Sequence, residues 1–162
     1  MLWPLYLSIL FQAIWFVLIL GTHEVEWPVL PIVVIVYIVS FLRHKHITTR
    51  ALFIGCMGCM LDIANTQFGL FLFDENGLLI PLWLIELWFC FSIYISFLMV
   101  KFISWNQFLL LLAGGIGGML SYYAAYRIGV VEFTQSLHLT LVILFLEWMA
   151  VMFVIRKCHA EN

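Results

Sequence analysis

The sequence predicts an all-α integral membrane protein, a bundle of six transmembrane helices with both termini on the cytoplasmic side. Three observations predict it. Hydrophobic residues make up 65% of the 162 and charged residues 10%, at a mean hydropathy of +1.12, whereas soluble domains carry about 25% charged residues. The apolar residues fall into six runs, most of them near the roughly 20 residues that a helix needs to cross the hydrocarbon core. Finally, Arg43, Lys45, Arg50, Lys101, Arg156 and Lys157 fall in links on one side and Arg127 alone on the other, which is a positive-inside pattern.

Taken in order, the runs cover residues 2–20, 27–42, 51–73, 79–100, 106–126 and 135–155, and with their short polar links they form one transmembrane domain over 1–162. The first, MLWPLYLSILFQAIWFVLILG, has no basic segment before it and no small-x-small cleavage site, so it reads as a retained helix and not as a signal peptide. The second is the shortest, because Pro28 and Pro31 stand near its start. Its valine-rich stretch would suit a strand in water, but an unpaired strand in lipid leaves its backbone unsatisfied. Glu24 and Glu26, and Asp74 and Glu75, occupy links that face outward under this orientation. Trp3, Trp27, Trp83, Trp105 and the Tyr122, Tyr123, Tyr126 group stand near run ends, where aromatic belts form. LIELW in the fourth run and FLEWM in the sixth are similar but fail in register, and no repeat is drawn from them.

The third run, ALFIGCMGCMLDIANTQFGLFLF, has Asp62 at its centre. A carboxylate at that depth costs about 2.5–3.5 kcal/mol on insertion scales and marks a functional site unless a partner explains it. Gly55, Gly58, Asp62, Asn65 and Gly69 step by 3, 4, 3 and 4, which puts them on one helix face. In the fifth run Gly114, Gly117 or Gly118, Ser121 and Ala125 do the same, and Gly114 with Gly118 makes a GxxxG that permits close backbone approach. The sixth run offers Ser136, Thr140, Ile143, Glu147 and Ala150, and the first offers Ser8, Gln12 and Trp15.

Counted at about 1.5 Å per residue, Gln12, Asp62, Asn65 and Glu147 fall near mid-depth, with no lysine or arginine level with them. The two acids are therefore expected to be protonated, neutralised by a cation or cationic substrate, hydrated, or paired with another subunit. These four residues form the candidate substrate or proton site. The plainer reading is a protonated Asp62 bonded to Asn65 or Gln12 as a link between helices, worth about 0.6 kcal/mol. Glu86 lies further out, within the expected reach of Arg127, and the two form a secondary pair read as structural. Gly55, Gly58, Gly69, Gly114, Gly117 and Gly118 are read as helix-packing positions.

Other chemistries find little support. Cys56 and Cys59 form a CxxC, but no cysteine stands in an outward link to relay electrons, and two small side chains on a packing face explain the pair. The same placement argues against a disulfide framework for the four cysteines. His44 and His46 flank Lys45 in RHKHITTR, a basic link suited to lipid headgroups and not to a metal. No metal and no cofactor is expected. Ser92 and Ser96 lack a histidine at their depth, which weakens a hydrolase or acyltransferase reading. Nothing resembles the basic, aromatic-interleaved surface that nucleic acid requires, so nucleic acid is excluded as a partner.

FQAIWF at 11–16, GCMLD at 58–62, Gly69 with Phe73, PLWLIELWFCF at 81–91 and GGIGGMLSYYAAYRIGVVE at 114–132 carry a resemblance. With them the whole chain resembles a bacterial inner-membrane family known as domain of unknown function 2878, which tends to have Gly-Pro where this chain has Gly118 and Met119. The resemblance implies a multi-pass protein of the bacterial inner (cytoplasmic) membrane, encoded often beside fatty-acid-modifying enzymes such as cyclopropane synthases. The expected function is lipid-related transport or service as a membrane accessory to lipid-modifying enzymes. An integral membrane enzyme acting on lipids and a structural subunit of a membrane complex are the alternatives. The expected partners are membrane lipids, lipid-modifying enzymes or a second copy of the chain.

Overall fold

A computed structural model describes residues 3–73 and 79–160, apart from the side chains of residues 3 and 22–26. The elements are α1 (Trp3–Arg43), α2 (Lys45–Gln67), β1 (Phe71–Leu72), α3 (Leu82–Phe102), α4 (Gln107–Ile128), β2 (Glu132–Phe133) and α5 (Leu137–Ala160). Five stretches are long and apolar enough to cross a membrane: Pro4–Gly21 within α1, and the whole of α2, α3, α4 and α5. Trp27–Arg43 is a shorter apolar stretch.

The chain between the first two expected helices is itself helical, so runs 2–20 and 27–42 join in a single α1 of 41 residues. Pro28 and Pro31 lie inside it. Each removes an N–H from the helical ladder, a loss that membrane helices tolerate where neighbouring groups re-satisfy the backbone. The side chains of Glu24 and Glu26, and the link residues Asp74 and Glu75, lie outside the described residues.

The second difference is a shift of register. The expected helix over 51–73 runs instead from Lys45 to Gln67. In its polar start the Thr48 and Thr49 hydroxyls donate to the carbonyls of His44 (3.1 Å) and Lys45 (2.9 Å), which satisfies them within the helix. Its end is set by Gly69, at φ 68°. There the Leu70 N–H donates to Asn65 O (2.8 Å) and the Gly69 N–H to Thr66 O (3.1 Å), the two bonds of a Schellman cap. α4 ends identically, with Gly129 at φ 91°. Val130 N–H donates to Ala125 O (3.2 Å) and Gly129 N–H to Tyr126 O (3.1 Å).

Each cap leads into a two-residue strand. β1 and β2 pair antiparallel, with Phe71 opposite Phe133 and Leu72 opposite Glu132. The Thr134 N–H extends the ladder to Leu70 O at 3.3 Å, and the Thr134 hydroxyl donates to Gly69 O.

The chain forms two compact units, one of α1, α2 up to Met60 and most of α3, the other of the remainder of α2, both strands, α4 and α5. In the first, a Cβ on Gly58 would overlap the Trp88 indole, and one on Gly55 would lie 2.9 Å from the Phe89 ring. Hydroxyl pairs tie the helices together: Tyr37 with Ser92 (2.7 Å), Ser8 with Tyr94 (3.0 Å), and Ser40 with Thr48 (2.8 Å).

In the second unit α4 lies against α5 through Gly114, Gly115 and Gly118, where a Cβ would strike Met152, Met149 with Phe145, and Trp148 respectively. The buried face of α4 is Gly115, Gly118, Tyr122 and Ala125, one position round from the expected stripe through Ser121. Gly117 and Gly69 have open space at the Cβ position; the first is exposed, and the second serves the cap of α2. Neither is a packing glycine.

Candidate functional site

The register shift decides where Asp62 lies. In the expected helix it is central; in α2 it stands five residues from the C-terminal end, about 7.5 Å along the axis. Asp62 is 1% exposed. The Tyr122 hydroxyl, from the buried face of α4, lies 2.6 Å from both of its carboxyl oxygens. That separation lies within the ordinary O–H···O range.

One turn further along α2, Asn65 donates from Nδ2 to Glu147 Oε2 of α5 at 2.9 Å. Asn65 is buried and Glu147 half-buried. Two acids from two helices are thus joined to neutral donors on neighbouring helices, Asp62 to α4 and Glu147 to α2. Three of the four expected site residues, Asp62, Asn65 and Glu147, fall within this second unit. Gln12 belongs to α1 in the first unit, where it is exposed.

Aromatic rings enclose the Tyr122 end. Phe71 of β1, fully buried, stacks on Tyr122 with ring centres 5.3 Å apart and 21° between planes. Trp148 lies 6.4 Å from the same ring. Phe133 of β2 stacks on Tyr126 at 4.5 Å. The strand pair therefore holds Phe71 over Tyr122, and Gly118 makes room for Trp148. Among these rings the Tyr122 hydroxyl reaches the Asp62 carboxyl.

Tyr122 is the site residue that the sequence does not declare, because its neighbours Tyr123 and Tyr126 group it with the interfacial aromatics. A signal exists: Gly115, Gly118, Tyr122 and Ala125 step by 3, 4 and 3, so Tyr122 continues a face of small residues. Glu86, 1% exposed, belongs to the first unit. Arg127, in the second, is exposed and donates to the Tyr123 hydroxyl at 3.1 Å. Of the CxxC, Cys56 is exposed and Cys59 half-buried.

No curated protein and no solved structure matches the chain. Residues 4–154 match the family described as Protein of unknown function (DUF2878), and the chain belongs to that family.

Proposed function

We propose that the protein works in lipid-related transport in the bacterial inner membrane, or as a membrane accessory to lipid-modifying enzymes, and that Asp62, Tyr122, Asn65 and Glu147 form its polar site. The observation that carries this reading is the arrangement of two acids, one fully buried, each held by a neutral donor on a neighbouring helix. Such a pair can take up and release protons or accept a cationic headgroup without dismantling the helices around it.

On this reading the α1–α2 corner, the α3–α4 link and the C-terminal end face the cytoplasm, as the positive-inside pattern predicts. Six crossings with a cytoplasmic N-terminus require a reversal within 21–26, whereas an unbroken α1 that crosses once puts the N-terminus outside. Labelling of a cysteine introduced at Leu2 by a membrane-impermeant maleimide, in a variant without the native cysteines, decides between them: labelling of intact spheroplasts gives the single crossing.

For the function itself, full-length protein in proteoliposomes is assayed for movement of fluorescent phospholipid between leaflets at several pH values. Asp62→Asn and Glu147→Gln, each correctly folded, are expected to lower the rate at least tenfold. Unchanged rates in both variants would sink the site. The second reading, a structural subunit, is favoured by the fact that both polar pairs link helices. It predicts stable co-purification with a partner and tolerance of the same substitutions.

A further inference from the structure

Four residues that shape the helices recur at a spacing of 60, the same interval that separates Asp62 from its partner Tyr122. Gly55, Gly58, Gly69 and Trp88 recur as Gly115, Gly118, Gly129 and Trp148. Local geometry recurs with them. Gly58 makes room for Trp88 on α3 as Gly118 does for Trp148 on α5, and Gly55 lies against Phe89 as Gly115 does against its counterpart Met149. Gly69 and Gly129 terminate α2 and α4 with the same pair of cap bonds and the same left-handed backbone. The similarity of LIELW and FLEWM has its explanation here: the tryptophans are in register at this spacing and the glutamates are one position apart.

Two contacts within the second unit join a position to its own counterpart. In the antiparallel strand pair Leu72 faces Glu132, the residue that takes its place in the second copy. Antiparallel strands that pair equivalent residues with each other are related by a local two-fold axis through that pair. Asp62 and Tyr122 are likewise equivalent positions, and they bond to one another.

We propose that α2–β1–α3 and α4–β2–α5 are two copies of one helix–cap–strand–helix unit, and that Tyr122, the counterpart of Asp62 across the local two-fold, is the positioning residue of the carboxylate site. Transporters built from repeats place their sites where the repeats meet, and a residue joined to its own counterpart lies at such a place. Asn65 and Glu147 have Ala125 and Leu87 as counterparts, so the copies share a scaffold of glycines, tryptophans and caps and differ in polar chemistry. The duplication stands without the transport reading; the positioning role rests on the carboxylate site.

Two readouts on full-length protein in detergent test this, and neither measures transport, so failure here and failure of the transport reading are told apart. The first is the thermal midpoint of Asp62→Tyr, Tyr122→Asp and the double exchange. Each single variant places two like groups against each other and is expected to lose several degrees; the double exchange restores one acid and one hydroxyl and is expected to recover more than half of the summed loss. A double variant that is as unstable as the summed singles, or does not fold, overturns the equivalence. The second is the infrared carboxyl band of Asp62, assigned by its disappearance in Asp62→Asn. Tyr122→Phe removes the hydroxyl bonded to this carboxyl, so the band is expected to move in frequency, while Tyr37→Phe leaves it in place. An unmoved band in Tyr122→Phe overturns the positioning role.

Discussion

The first unit joins its helices with hydroxyls and the second with acids. Tyr37 with Ser92, Ser8 with Tyr94, and Ser40 with Thr48 are pairs of hydroxyls. Asp62 with Tyr122 and Asn65 with Glu147 connect helices at similar distances, but each contains a group whose charge depends on its surroundings. Both units rest on the same apolar device, a glycine under a tryptophan. The difference teaches that the glycine and tryptophan pattern specifies how the helices pack, while the polar residues added to it set the chemistry of each described link, hydroxyl with hydroxyl in the first unit and acid with neutral donor in the second.

The shared device is the first thing to break. Gly58→Leu and Gly118→Leu each force a branched side chain into space held by an indole. Each is expected to destabilise by about 3 kcal/mol or more, with the alanine variants costing about 1–3 kcal/mol. Chemical unfolding in mixed micelles measures this, and closely matched costs at the two glycines are expected of equivalent positions. A cost at one glycine alone would separate the two units.

Polar links come next. Tyr122→Phe leaves a buried carboxyl without its hydroxyl donor and is expected to cost about 1–3 kcal/mol, against about 0.5–1.5 kcal/mol for Tyr37→Phe in the first unit, where both partners are neutral. The same unfolding experiment reads both, and equal losses would remove the energetic distinction drawn between hydroxyl and acid.

The caps follow. Gly69→Ala and Gly129→Ala put a Cβ on left-handed backbone, at a cost of about 1–2 kcal/mol each. The smallest effect is expected at Gly117, where open space surrounds the Cβ position. Gly117→Ala changes stability by less than about 0.5 kcal/mol or raises it slightly, since alanine favours the helix. A substantial loss there would mean that the exposed side of α4 is covered by something outside this chain.

Much of this fold is legible in the sequence because lipid permits few structures. Hydropathy locates the apolar helices, and Asp62, Asn65 and Glu147 declare themselves as polar groups in apolar runs. The remainder depends on local bonds that composition does not reveal. Thr48 and Thr49 read as a link until their hydroxyls are seen to return to the helix. The continuity of α1 through Pro28 and Pro31 runs against the usual effect of proline. Gly69 reads as one more small residue on a packing face, although it ends α2 and thereby moves Asp62 from the centre of its helix toward one end. Tyr122 carries the signature of a belt tyrosine, and only its place beside Gly118 on the buried face argues otherwise. The internal repeat is weak in sequence because the copies keep only three glycines, one tryptophan and a few apolar residues in common.

The pairing of position 62 with position 122 has an evolutionary consequence. An assembly of two identical chains, each holding one copy of the unit, would set this position against itself. Two aspartates in such a place repel, so that one must hold a proton whenever the other is charged. Two tyrosines meet without that conflict but offer no acid. Fusing the copies into one chain lets the two positions change independently, one to the acid and the other to its donor. A buried carboxylate with a dedicated hydroxyl at this point is an arrangement open to the fused chain and closed to the symmetric pair.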